Sequence, residues 1–365
     1  MTRSGILTLA VAVMGSAVAV LAQTEAPRLP PAPANPPAPS LQSATDPGYA
    51  ALIATCKNAP PARGRGPGGN RGRGPQAQGV RDYMVSEIPG VIAAGQKWKY
   101  LWQEAGNNGD GIVGTNDGGL LLAQNDNSKV VKLDKSGKPS VVYSDTHTGG
   151  ALSMSPKGNL FIVERGLHAR IEQLAPQRKV FVDSYNGDPI DCIGGVINDL
   201  TADSKGGVYF TMGGLFYANP QGVVTKYGEN LTTNGIILSA DEKTLYVTNG
   251  QALAAFDVQK DGSLANQREF AKLTAGGGDG STIDSQGRIY TTTNGGIEVL
   301  GPDGKNLGVI PTPRGVITCA FGGKDKKELF ILARGAKDAA GEEVANAAQV
   351  WKIPMLAQGY KGRAK

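Results

Sequence analysis

One short pattern returns six times along the chain. DGGLLLAQND (117–126), PKGNLFIVERG (156–166), SKGGVYFTMGG (204–214), DEKTLYVTNG (241–250), SQGRIYTTTNGG (285–296) and DKKELFILARG (325–335) each set a Gly- or charge-marked turn before a short apolar strand. Their first strand residues, Leu120, Leu160, Val208, Leu245, Ile289 and Leu329, are 40, 48, 37, 44 and 40 residues apart. A period near 40 with such turns predicts a radial repeat of small β-sheets. Further short strands fall between the copies, as in KVVKLD (129–134), ARIEQL (169–174) and GIEVLG (296–301), with turn signals such as KSGKP and PDGKN. This predicts an all-β six-bladed β-propeller over residues 81–358, with roughly four strands per blade. A two-sheet sandwich would not explain six evenly spaced copies. Ring closure is expected to pair AQVWKI (348–353) with KWKYLWQE (97–104) or DYMVSE (82–87).

The strand ahead of each marker should line the central channel, beginning near one mouth. Ten residues back from the markers stand Asp110, Gly150, Asn198, Gly235, Asp279 and Cys319. A fourth turn one residue out of step with the rest brings Asn234 into phase instead of Gly235. Asp110, Asn198, Asn234 and Asp279 then converge on one mouth. Four oxygen-bearing side chains about one axis suit a hard cation. Calcium, magnesium or manganese is favoured, and zinc is tolerated. A Gly after the polar residue would let backbone and substrate approach closely. Each Asp-Gly or Asn-Gly alone is an ordinary turn pair; the shared phase is what argues for a site.

The ends differ from the middle. Arg3 followed by the uncharged run Ile6–Leu21 and the small residues before position 23 reads as a signal peptide over 1–22. The mature protein is therefore expected to be periplasmic or secreted, with no membrane span after cleavage. Residues 23–80 hold a Pro-rich and an Arg-Gly-rich stretch and read as a disordered linker. DPGYAALIATCKN between them could form a short helical turn or two. Residues 359–365 read as a basic tail. The net charge of +5 arises in residues 1–86, which hold 8 basic and 3 acidic residues, leaving 29 of each in the rest. The folded part thus carries no charge suited to nucleic acid. A monomer acting on a small molecule is the expectation.

Three cysteines, Cys56, Cys192 and Cys319, permit at most one internal disulfide. With two histidines, His147 and His168, a histidine-rich zinc site is excluded. Cys319 reads as an apolar filler at the sixth mouth position, and His168 as a packing or surface residue.

TTNGIILSADEKTLYVTNG, GVINDLTADSKGGVYFT, GGGDGSTIDSQGRIYTTTNGGIEVLGPDGKNLGVIPTP and CAFGGKDKKELFILA together resemble the senescence marker protein/gluconolactonase (regucalcin-like lactonase) family. The likeness runs from about 105 to 355. It implies a six-bladed propeller with one divalent metal in the channel, calcium foremost, and lactone hydrolysis. By position, Asn234 and Asp279 match metal ligands, Asp279 also the proposed general base. Asn198 matches an Asn that lines the site beside metal or substrate. Two departures stand out. The family's first ligand is a Glu, where this chain has Asp110, with Glu104 as a nearby substitute. The family's substrate-binding Arg, two residues before the Asn, is replaced by Val196. The altered residues leave open an alternative: an exported ligand-binding propeller with a structural metal and no turnover. Glu164-Arg165-Gly166 resembles the family's Glu-His-Gly segment.

Overall fold

The computed structural model describes residues 25–31, 38–58, 60, 83–106 and 108–365. Alternating apolar strands and Gly-marked turns build six antiparallel four-stranded sheets. The innermost strands are Gly109–Gly114, Gly149–Met154, Leu200–Ala202, Thr233–Leu238, Ser281–Ile283 and Val316–Gly322, one for each of blades 1 to 6. Each inner strand contacts the next, and blade 6 returns to blade 1. This is the expected six-bladed propeller, with helix among the described residues limited to Tyr49–Ile53 and two short 3-10 turns. The six sequence copies are the second strands of the blades.

An N-terminal strand closes the ring. Lys99–Ala105 pairs antiparallel with Glu343–Pro354, Tyr100 opposite Trp351, as the outermost strand of blade 6. The first closure candidate is therefore the one used. Residues 83–87 form no strand; Tyr83 and Val85 are instead buried in an apolar cluster with Val299, Phe321 and Trp351. Packing of such side chains between blades excludes water and joins neighbouring sheets.

The expected linker is partly folded. Leu29 is buried with Ala336 and Ala347, and its N–H donates to Lys337 O at 2.8 Å. Residues 38–58 run as a strap over blades 1 to 3. Ser40 N–H donates to Asp126 O at 2.8 Å, Ser43 N–H to Arg165 O at 2.7 Å, and Ser43 Oγ to Asp191. Cys56 and Cys192 form a disulfide. Buried leucines, strap-to-blade hydrogen bonds and one covalent link offset an ordering entropy that composition alone did not cover. The signal-peptide residues and the Arg-Gly tract at 61–80 lie outside the described residues. Because the disulfide closes a separation of 136 residues, Cys56→Ser is expected to cost about 2–4 kcal/mol. Thermal melts with and without reductant check this: reductant should bring the parent chain down to the variant, and an unchanged melt would contradict it.

The C-terminal tail is also not free. Gly359 bridges Asp284, Tyr360 N–H donates to Ile283 O at 3.2 Å, and Ala364 pairs with Met154. Met154, Ile283 and Leu238 end their inner strands. The tail therefore enters the channel from the far mouth. Arg363 donates to Leu238 O at 2.6 Å, and Lys365 sits buried within.

Candidate functional site

A common register places the expected residues. In blade 1 the inner strand ends in the pair Gly114–Leu120, and Asp110 lies four residues before Gly114. Counting back four from the matching pairs in blades 2 to 5 gives Gly150, Asn198, Asn234 and Asp279. The turn from Leu238 to Leu245 in blade 4 is one residue longer than its counterpart in blade 1. That extra residue is why Asn234 rather than Gly235 takes the phase. In blade 6 the pair is Phe321–Leu329, two residues wider than in blade 1. The sixth position is therefore Ile317, and Cys319 does not stand at the mouth. Cys319 is buried in the apolar cluster, and burial pushes its thiol up to about 12. It fills space, as expected, but deeper than expected.

Asp110, Asn198, Asn234 and Asp279 line one small cavity at the channel mouth. The enclosed space is about 10 Å³, near the lower limit for one water or ion. Asn198 Nδ2 donates to Asn234 Oδ1 at 2.6 Å, joining blades 3 and 4. Gly235 is required by close approach: a Cβ there would lie 2.0 Å from Asp279 O. Glu104 is elsewhere. It lies on the closing strand opposite Ala348, 3.6 Å from Lys129.

Blade 2 offers no side chain at Gly150, and Arg165 occupies that space. A Cβ at Gly150 would lie 2.4 Å from Arg165 Cζ. The guanidinium pairs with Asp110 Oδ2 at 2.5 Å and donates through Nε to Ile197 O at 2.8 Å. Its Nη2 also donates to Asn198 O at 2.5 Å and lies 3.2 Å from Asn198 Oδ1. The Asn125 amide, oriented to suit its neighbours, accepts from Nη1 at 3.1 Å. The preceding Glu164 points away and pairs with Arg170 at 2.6 Å. His168 is exposed.

Lys365 and Asp199 line the same cavity, and Lys365 donates to Asp199 Oδ2 at 2.6 Å and Ile236 O at 2.5 Å. The same Asp199 carboxylate accepts from Leu200 N–H at 2.8 Å and Ile236 N–H at 3.0 Å. Asp199 thus clamps blade 3 to blade 4 one residue beyond Asn198. Asp279 has no such partners. It is half-buried on the floor of the mouth, and desolvation reinforced by the nearby Asp110 charge pushes its carboxyl up to about 7.

The sequence signals were uneven. Asp110, Asn198 and Asp279 followed from periodicity, and Asn234 from a one-residue shift of the same count. Arg165 had a trace: Gly150 was a blank in the phase, and VERG ends a repeat copy. Lys365 had none, because nothing local to a basic tail indicates a channel.

The fold and site together are a propeller whose oxygen-bearing side chains converge from separate blades on a water-sized cavity at one mouth of the channel. The SMP-30/Gluconolactonase/LRE-like region model matches residues 126–334. The chain belongs to that family. It is similar to the gluconolactonase of Zymomonas mobilis, 30% identical over 217 residues, which are 50% of this chain and 60% of that protein. The match thus spans less than two thirds of that relative's length. A gluconolactonase structure from Xanthomonas campestris shares the fold with TM-score 0.62 at 21% identity, covering 77% of this chain and 98% of the other. The Agrobacterium tumefaciens calcium-binding protein regucalcin aligns with TM-score 0.55 at 17% identity, covering 76% and 95%.

Proposed function

We propose that the protein hydrolyses a lactone, a sugar lactone or a related ester, at the channel mouth lined by Asp110, Asn198, Asn234 and Asp279. The observation that carries this is the convergence of Asp110, Asn198, Asn234 and Asp279 on one cavity. The membership of a gluconolactonase family supports the reaction class.

The donor set fits a hard divalent cation. It offers two carboxylates and two amide oxygens, with no nitrogen or sulfur ligand, around a space of ionic size. Among the described residues no cluster of three His, Cys, Asp or Glu exists, so the two amides are needed. Asp110, Asn198, Asn234 and Asp279 would hold the ion, calcium foremost, although Arg165 already takes one Asp110 oxygen and Lys365, paired with Asp199, also lines the cavity. A bound cation would polarise the lactone carbonyl as a Lewis acid. Asp279 is the general base: its carboxylate takes the proton from the attacking water. Asn198, fixed by Arg165 and Asn234, orients the substrate. Lys365 and the tail shut the far mouth, so substrate and water share one entrance. We further propose that the protein is exported, which the Cys56–Cys192 bridge supports, since such bonds persist in oxidising compartments.

The test is hydrolysis of aldonolactones and simple aromatic esters by chelator-stripped protein with calcium, magnesium, manganese or zinc returned. Metal-restored turnover is expected. Metal-dependent thermal stabilisation without turnover of any substrate would replace the reading with a binding propeller and a structural ion.

A further inference from the structure

The two repeat copies that end in Arg-Gly, PKGNLFIVERG and DKKELFILARG, put Arg165 and Arg334 in equivalent places. Each arginine lies five residues beyond its marker, Leu160 and Leu329, at the mouth end of a second strand. Blades 2 and 6 flank blade 1, so the two arginines stand on either side of Asp110's blade. Their fates differ. Arg165 is buried and its nitrogens are engaged by Asp110, Ile197, Asn198 and Asn125. Arg334 is half-buried, and among the described residues its side chain makes no hydrogen bond or ion pair. Its Nε is shielded from solvent without an acceptor. Its strand is anchored through the backbone, with Arg334 N–H donating to Gly315 O at 2.9 Å. The backbone at Arg334 is thus anchored, while its Nε has no acceptor and the rest of the half-buried side chain is not shielded in the same way.

Its place bears on the chemistry. Blade 6 adjoins blade 5, which carries Asp279, and Ala333, the residue before Arg334, stands opposite Val316 at the mouth end of the inner strand. Blade 6 also faces blade 3 across the ring, where Val196 and Asn198 lie. Val196 can donate no side-chain hydrogen bond. A guanidinium edge presents paired N–H donors, which match the two oxygens of a carboxylate.

We propose that Arg334 is an anion anchor at the channel mouth that binds the carboxylate of a polyhydroxy acid. This rests on the lactonase reading. Hydrolysis adds the elements of water across the acyl–oxygen bond, freeing a hydroxyl and a carboxylate. The carboxylate is formed where Asp279 works, on the blade adjoining that of Arg334. The same arginine can donate to the acyl oxygens of the uncleaved lactone.

The experiment uses the full chain and its Arg334→Met and Arg334→Lys variants, with D-gluconate as probe and sorbitol as the uncharged control. Titration calorimetry reads binding. The parent should bind gluconate and not sorbitol, Arg334→Met should weaken gluconate at least tenfold, and Arg334→Lys should fall between. In turnover, Arg334→Met should raise the KM for gluconolactone more than it lowers kcat and relieve product inhibition by gluconate. Its melting temperature should be no lower than the parent's, because a cation without a partner is lost. Should Arg334→Met not fold, the Arg334→Lys titration decides, with unchanged gluconate affinity counting against the anchor. Equal gluconate affinity in parent and Arg334→Met, or no gluconate binding by the parent, overturns the proposal even if lactones are hydrolysed. Gluconate binding that depends on Arg334 in a protein without turnover leaves the anchor standing and removes the lactonase reading.

Discussion

Asp279→Asn is expected to lower lactone turnover by about two to four orders of magnitude, the usual range for loss of a general base. The same substitution should stabilise the chelator-treated protein at alkaline pH. The folded-state carboxyl is raised to about 7 by burial and by Asp110, whereas an unfolded Asp titrates near 4. A raised acid favours folding below the unfolded value, and that advantage is lost as pH rises from about 4 to about 7. At pH 8 both states are ionised, and the folded state bears the cost of a charge held away from water. Asn has no such charge. The gain in the variant should approach about 4 kcal/mol at pH 8, as an upper bound, and vanish near pH 3. Urea melts of both proteins at pH 3, 5.5 and 8 measure it. Equal stability at pH 8, or retained turnover, would remove Asp279 from the role assigned to it.

Lys365→Met should be the most damaging single change in the tail. The lysine ammonium is the cation paired with the buried Asp199 carboxylate, at 2.6 Å. Removing it leaves a charge in the channel with only backbone partners, a loss of about 3–5 kcal/mol. For a domain of this size that is a fall in melting temperature of roughly 10 °C. Activity should fall with it, since Asp199 joins the strands bearing Asn198 and Asn234. Adding Asp199→Asn to Lys365→Met should recover part of the loss, because the orphaned charge is then gone. A lysine variant within 1 kcal/mol of the parent would show that the tail ornaments the channel rather than closing it.

The ring of polar residues was legible before any tertiary contact was known. Asp110, Asn198, Asn234 and Asp279 share one phase of a strand-turn-strand repeat, and in a propeller equal phase means equal height along the axis. The same count misplaced Cys319, because it assumed one turn length and blade 6 uses a turn two residues longer than blade 1. Glu104 and Asp110 are only six residues apart in sequence. The choice between them needed the closing strand, which carries Glu104 away to blade 6.

What periodicity by itself determined was the blade count, the inner-strand phase and hence three of the candidate oxygens, Asp110, Asn198 and Asp279; Asn234 needed a one-residue shift that the family resemblance supported. These are local properties: alternating side chains and turn residues act over a few positions, and each blade repeats them. The tertiary structure decided the rest. Arg165 fills the place of Gly150 from fifteen residues away, Cys56 joins Cys192 across 136 residues, and Lys365 reaches Asp199 across 166. A charged tail and a proline-rich leader look solvated when judged by composition. The tail and the described parts of the leader, residues 25–31 and 38–58, are ordered because the folded ring offers what composition cannot reveal, namely buried carboxylates, free strand carbonyls and a partner thiol already in place.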